Sequence, residues 1–156
     1  MNDDERCMRY ALEEAGKALA EDEVPVGAVL VNEQGLIAGG YNQVEGSNDP
    51  TAHAEMQAIR RASRHLGRWR LTGTTLYVTV EPCCMCLGAI ILARIERLVF
   101  GIPEPKTGCC VSQADLPSGI FSRYGLVVAS GVLADEARAL MQIFFKKKRR
   151  GTEVRP

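Results

Sequence analysis

The sequence predicts an α/β fold, and three observations carry that prediction. Val24 to Val31 and Leu36 to Tyr41 are apolar, strand-like runs separated by Asn32-Glu33-Gln34-Gly35, a pattern that makes a hairpin. Further along, a strand from Thr74 to Val80, a helical stretch from Cys83 to Ala93 and a strand from Arg97 to Ile102 follow one another. That order places the two strands parallel in one sheet, joined by a right-handed crossover. Helical spacing of apolar residues brackets these runs at both ends of the chain.

Taken in order, residues 4 to 20 read as an amphipathic helix with Met8, Ala11, Leu12, Ala15 and Leu19 on its packing face. Gly39-Gly40 inside the second strand marks a bulge or the close approach of a ligand, and Asn42 stands at that strand's end. Gln43 to Pro50 is a polar loop that delivers the chain to a helix from Ala52 to Leu66. Arg60, Arg61 and Arg64 lie on the exposed side of that helix, with Arg68 and Arg70 beyond it, as a solvated face. After Arg97 to Ile102, the loop Pro103-Glu104-Pro105-Lys106-Thr107-Gly108 leaves a strand end on the same side as the end of the Thr74 to Val80 strand. It is therefore a candidate to grip a substrate. Cys109 to Tyr124 carries a mixed signal, with a turn expected over Asp115-Leu116-Pro117-Ser118-Gly119. Gly125 to Val132 supplies a fifth strand. Ala134 to Lys148 is a terminal helix with Ala137, Leu140, Met141 and Phe144 on its apolar side.

A chain of 156 residues is expected to form one domain, residues 1–156, with a real core. Asn2-Asp3-Asp4-Glu5 is unlike a secretory leader, and no apolar run approaches the roughly eighteen residues of a membrane span, so a cytoplasmic protein with no membrane partner is expected. Six cysteines in such a chain fit a reducing compartment, which leaves Cys7, Cys84, Cys109 and Cys110 as buried or incidental thiols. Net charge is zero but polarised. Residues 1–23 hold eight acids against three bases, and residues 138–156 hold seven bases against one acid. Such a basic end suits either RNA contact or a solvated helix tail.

The chemistry concentrates in Thr51-Ala52-His53-Ala54-Glu55 and Glu81-Pro82-Cys83-Cys84-Met85-Cys86. Pro82 suits the first position of a helix, which puts Cys83 and Cys86 in its first turn on one face, with Cys84 pointing elsewhere. The positive helix end favours thiolates, the form that binds metal. One imidazole and two thiolates are three ligands for a tetrahedral Zn2+, and with no fourth protein ligand evident a position stays open for water. Glu55, two residues past His53, falls near the metal without being a ligand. It is placed to take a proton from acidified water and return it to a substrate. The His-x-Glu and Pro-Cys-x-x-Cys pair is the signature of nucleobase deaminases.

With these residues in view, the chain resembles the zinc-dependent cytidine deaminase-like superfamily and, within it, the bacterial tRNA adenosine deaminases. The resemblance runs from about Met8 to Arg150 and includes Glu23 to Val29, Asn48 to Glu55, Lys106-Thr107-Gly108 and Phe144-Phe145 followed by bases. It implies a three-layer α/β/α sandwich with a five-stranded mixed sheet, assembled as a homodimer with one zinc per subunit. It also implies a tRNA anticodon stem-loop as partner, its wobble adenosine becoming inosine. By the same resemblance His53, Cys83 and Cys86 hold zinc and Glu55 shuttles protons. Asn42 and the Ala54 backbone hold the flipped base, Glu104 meets the ribose, and the Lys106 loop meets neighbouring nucleotides. The chain departs from the pattern where Pro103 and Pro105 bracket Glu104 and where Cys109-Cys110 replaces smaller residues.

Two rivals remain at this point. A deaminase of free guanine, cytosine or cytidine would share the whole metal site. A non-catalytic zinc module would need a fourth protein ligand such as Cys7, Cys109 or Cys110.

Overall fold

A computed structural model of the chain describes residues 1–113 and 117–153. Its elements are α1 (Asp3–Ala20), β1 (Gly27–Asn32), β2 (Gly35–Tyr41), α2 (Val44–Ser47), α3 (Ala54–Leu66), β3 (Thr75–Val80), α4 (Cys84–Leu92), β4 (Arg97–Ile102), α5 (Pro117–Tyr124), β5 (Val127–Ser130) and α6 (Ala134–Glu153). The strands form one five-stranded sheet in the order β2-β1-β3-β4-β5. β1 pairs antiparallel with both β2 and β3, whereas β3, β4 and β5 run parallel. The mixed sheet expected from the hairpin and the strand-helix-strand unit is the one observed.

Alternation along the strands sorts side chains to two faces. Ala28, Leu30, Leu76, Val78, Leu98 and Phe100 join residues of α3 and α4 in the larger core. Val29, Tyr77 and Val99 pack with Met8 and Ala11 of α1 on the opposite face. α6 lies against α1, β3 and β4, which completes three layers.

Several boundaries differ from expectation for identifiable reasons. β1 starts at Gly27 because Pro25 has no N–H to give a ladder and Val26 N–H turns back to the Val24 carbonyl at 2.8 Å. β5 is confined to Val127–Ser130 by Gly125 and Gly131, whose positive φ of 67° and 87° break extended pairing. The close approach expected at Gly39-Gly40 is that of α3: a Cβ on Gly40 would stand 2.6 Å from the Ala58 backbone nitrogen and 2.7 Å from the Ala54 carbonyl. The bulge of this hairpin falls instead between Leu30 and Val31. α5 was not legible in the mixed segment before β5. In the expected turn over Asp115 to Gly119, Asp115 and Leu116 lie outside the described residues, and Pro117 opens the helix, a position that suits proline. α6 continues to Glu153, and Arg155 lies outside the described residues. Among the described residues no helix is long and apolar enough to cross a membrane.

Candidate active site

Two helix N-termini meet at the carboxyl end of β3. His53 is the N-cap of α3 and Cys83 the N-cap of α4, both with extended backbones and neither capping its helix with its side chain. Each therefore sits one position outside the helix expected to contain it. Cys83 is held extended by a bridge to Gly108, and its carbonyl accepts the first helical bond from Leu87. The unpaired N–H groups and positive ends of both helices point toward this place, which favours anionic sulfur.

Cys83 Sγ lies 3.6 Å and Cys86 Sγ 3.5 Å from His53 Nδ1. A tetrahedral site with metal–sulfur distances of about 2.3 Å and metal–nitrogen of about 2.0–2.1 Å has nitrogen–sulfur edges of about 3.6 Å, so this donor set fits zinc. Among the described residues the ligand group comprises His53, Cys83 and Cys86 with no fourth member. Cys83 is pulled down to about 4, chiefly by the hydrogen bond from the Cys86 thiol and, against burial, by His53. Cys86 is raised because it keeps the shared proton and is buried. His53 is raised first by its contact with Cys83. Glu55 is buried, and that burial pushes it up to about 7 against the pull of its own backbone N–H and of His53. A carboxyl poised there can both accept and release a proton near neutrality.

A cavity of about 700 Å³ contains these groups. His53, Ala54, Glu55 and Cys83 line it together with Asn42 and Glu104, while buried Cys86 sits behind the lining. Lys106 is exposed and outside the lining, its N–H donating to the Glu104 carboxylate at 3.0 Å.

Other lining residues were not found from sequence. Met141, Phe144 and Lys148 reach the cavity from α6, so the basic end of the chain returns to the site. Lys147 and Lys148 pair with Asp22 at 3.7 and 3.1 Å, joining the acidic and basic runs. Two buried acids organise loops at the rim. Glu23 accepts the N–H groups of Glu45 at 3.2 Å and Gly46 at 2.6 Å, and Glu81 does the same for the segment after β4. The sequence signal for Glu81 was an acid directly continuing a strand rich in β-branched and aromatic residues.

The cysteines also need correction. Cys84, expected as an incidental thiol, is joined by a disulfide to Cys109, which ties the first residue of α4 to the segment after β4. Cys109 is thereby removed as a fourth metal ligand, and Cys7 and Cys110 are free but not part of the ligand group.

A histidine, two cysteines and a buried carboxylate two residues past the histidine, gathered at strand ends of an α/β sheet, define a zinc-dependent nucleobase deaminase. Residues 1–102 match the family described as the cytidine and deoxycytidylate deaminase zinc-binding region. The chain is 46% identical over 152 residues to the tRNA-specific adenosine deaminase of Haemophilus influenzae, covering 97% of this chain and 88% of that one. It is 44% identical to the enzyme of the same name from Bacillus subtilis, covering 96% and 93%. A solved structure described in a study of A-to-I editing by tRNA:A34 deaminases superposes with a TM-score of 0.78 at 43% identity, covering 86% of this chain and 98% of that one. A guanine deaminase from Nitrosomonas europaea superposes with a TM-score of 0.80 at 28% identity, covering 90% and 83%. The chain belongs to the cytidine and deoxycytidylate deaminase zinc-binding family and, within it, to the tRNA-specific adenosine deaminases.

Proposed function

We propose that the protein converts the wobble adenosine of a tRNA anticodon to inosine by hydrolytic deamination. The observation that carries this reading is the joining of the His53–Cys83–Cys86 triad and buried Glu55 to Asn42, Ala54 and Glu104 around one cavity. His53, Cys83 and Cys86 would hold one zinc per subunit, which supplies a Lewis acid that acidifies water at neutral pH. Glu55 would take a proton from the attacking water and deliver it to N1 of the adenine as oxygen adds at C6, then take the proton of the new C6 hydroxyl and pass it to the departing amine, so that water is consumed and ammonia leaves. Asn42 and the N–H of Ala54, first residue of α3, are assigned to hold the base, a reading supported by their both lining the cavity. Glu104 is assigned to the ribose and Lys106, on the outer side of the same loop, to neighbouring nucleotides. A loop adenosine is already partly unstacked, so bringing it into a cavity costs less than extracting it from a duplex.

The Nitrosomonas europaea guanine deaminase superposes as well as the tRNA enzyme, which keeps a free-base substrate as the second reading; a guanine deaminase from Bacillus subtilis reaches 43% identity but over only 66% of this chain, whereas the tRNA enzymes hold 46% and 44% over 97% and 96% of it. We further infer a single domain, a cytoplasmic location and a homodimer. Exposed Trp69, Leu92, Tyr124 and Val127 are side chains of the kind a subunit interface covers. Light scattering after size exclusion tests the dimer. Nucleoside analysis of an anticodon stem-loop carrying wobble adenosine tests the reaction, with Glu55→Ala as control. Inosine from the native protein alone is expected. Its absence, together with conversion of free guanine, establishes the second reading.

A further inference from the structure

Glu81 directly follows β3, is 3% exposed, and is not part of the ligand group found among the described residues. Among the described residues its carboxylate is nevertheless the most heavily hydrogen-bonded acid lining the cavity. Oε2 accepts three consecutive backbone N–H groups, those of Cys110, Val111 and Ser112, each at 3.1 Å. Oε1 accepts the Glu104 N–H at 3.1 Å and the Ser112 hydroxyl at 2.5 Å. Three successive N–H groups converging on one oxygen form an anion-binding nest, here filled by the protein's own side chain. Both ends of the segment 104–112 are thus fastened to one carboxylate. Gly108, between them, is packed so closely that an added Cβ would stand 2.4 Å from that carboxylate. Glu81 is also separated from Cys83 by Pro82 alone, so the acid that holds the segment is continuous with the backbone that presents the metal ligand.

We propose that Glu81 is a positioning residue for substrate. It fixes the Glu104–Ser112 segment, and with it Glu104 at the cavity and Lys106 outside it, at a set distance from the ligand-bearing turn of α4. The inference rests on the reading of Glu104 and Lys106 as nucleic-acid contacts. It makes substrate affinity, rather than metal binding or the chemical step, the property that depends on Glu81. Replacing the carboxylate by an amide turns an NH2 group toward N–H donors on one side or the other, which opens the nest without changing the side chain's size.

The test is Glu81→Gln beside Ser112→Ala, which removes one donor and leaves the backbone nest intact. Four quantities are compared with the native enzyme: zinc content, melting temperature, amide exchange of peptides covering 103–113, and single-turnover deamination against anticodon stem-loop concentration. For Glu81→Gln the expected result is a full zinc complement, faster exchange confined to the segment, and a half-saturating RNA concentration about tenfold higher, with the saturated rate within about threefold of native. Ser112→Ala should shift the half-saturating concentration by about two- to threefold in the same direction. Unchanged exchange and unchanged RNA dependence for Glu81→Gln overturn the proposal, as does loss of zinc with Ser112→Ala silent. Faster exchange with unchanged RNA dependence overturns it through the loop reading itself, and Lys106→Ala would then be silent as well. If only the proposal about Glu81 is wrong, Lys106→Ala still weakens RNA binding.

Discussion

The metal side of the cavity and its rim are assembled over different kinds of sequence distance. On the metal side, each ligand motif is a few residues long and is set by the start of its own helix. His53 is the N-cap of α3 and Glu55 lies in its first turn, and Cys83 is the N-cap of α4 with Cys86 in its first turn. At the rim, four fastenings join remote segments: Glu81 to Ser112, Glu23 to Gly46, Asp22 to Lys148, Cys84 to Cys109. A motif whose geometry is local keeps its shape when distant parts shift. A rim made of cross-chain ties responds to changes far from the chemistry. The expectation is that damage to the first region reads out in turnover and metal content, and damage to the second in substrate affinity.

Removal of zinc with a strong chelator should give the largest effect, abolishing inosine formation, with recovery when zinc is restored. Cys86→Ala should give stably sub-stoichiometric zinc by elemental analysis. Glu55→Ala should lower turnover by about a hundredfold to ten-thousandfold while keeping the metal and RNA binding, because acid–base groups contribute on that order. Near-native inosine yield from this variant would remove Glu55 from its role and dissolve the distinction at its clearest point.

Between the regions stands Gly40, on which α3 packs. Gly40→Ala places a Cβ 2.6 Å from the Ala58 nitrogen and must displace the helix that starts at His53. A stability loss of about 1–3 kcal/mol in urea unfolding is expected, as for other overpacked sites. Turnover should fall with it if the ligand side depends on the seating of α3.

A rim substitution should look different. Lys148→Ala removes a cavity-lining cation that shares Asp22 with Lys147, and a severalfold rise in the half-saturating RNA concentration is expected with turnover at saturation retained. For the native protein, binding should weaken with salt at a log-log slope of about −0.7 for each phosphate contacted. A flat salt dependence would favour the free-base reading.

The smallest effect lies away from both regions. Arg97 donates two bonds of 2.7 Å to Asp4, pinning α1 to β4, and holds Asp4 down to about 2 from 3.8. A depressed carboxyl stabilises the fold above its unfolded pKa, and the contribution disappears as pH falls from 3.8 through about 2. The shift corresponds to at most about 2.5 kcal/mol and, with partial exposure, to about 1–2 kcal/mol. Urea unfolding at pH 6 and at about pH 1, below the folded pKa, should show Asp4→Asn less stable at the first and equal to native at the second, with deaminase activity at neutral pH unchanged.

Periodicity and local spacing determined most of this protein before any tertiary contact was known. Apolar, β-branched runs bounded by turn residues marked the strands, helical spacing marked α1 and α6, and the two short motifs named His53, Glu55, Cys83 and Cys86, because a helix start dictates which neighbours share a face. The parallel pairing of β3 and β4 followed from chain order and the handedness of crossovers. Only the tertiary structure could decide what the lone residues do. It revealed that Glu81 and Glu23 bind backbone N–H groups of distant loops, that Gly40 makes room for α3, that Cys84 meets Cys109, and that the basic end of α6 turns back onto Asp22 and the cavity. Each of these depends on a contact between residues with no periodic relation along the chain. Such a contact is fixed by how whole layers pack and leaves no local pattern to read.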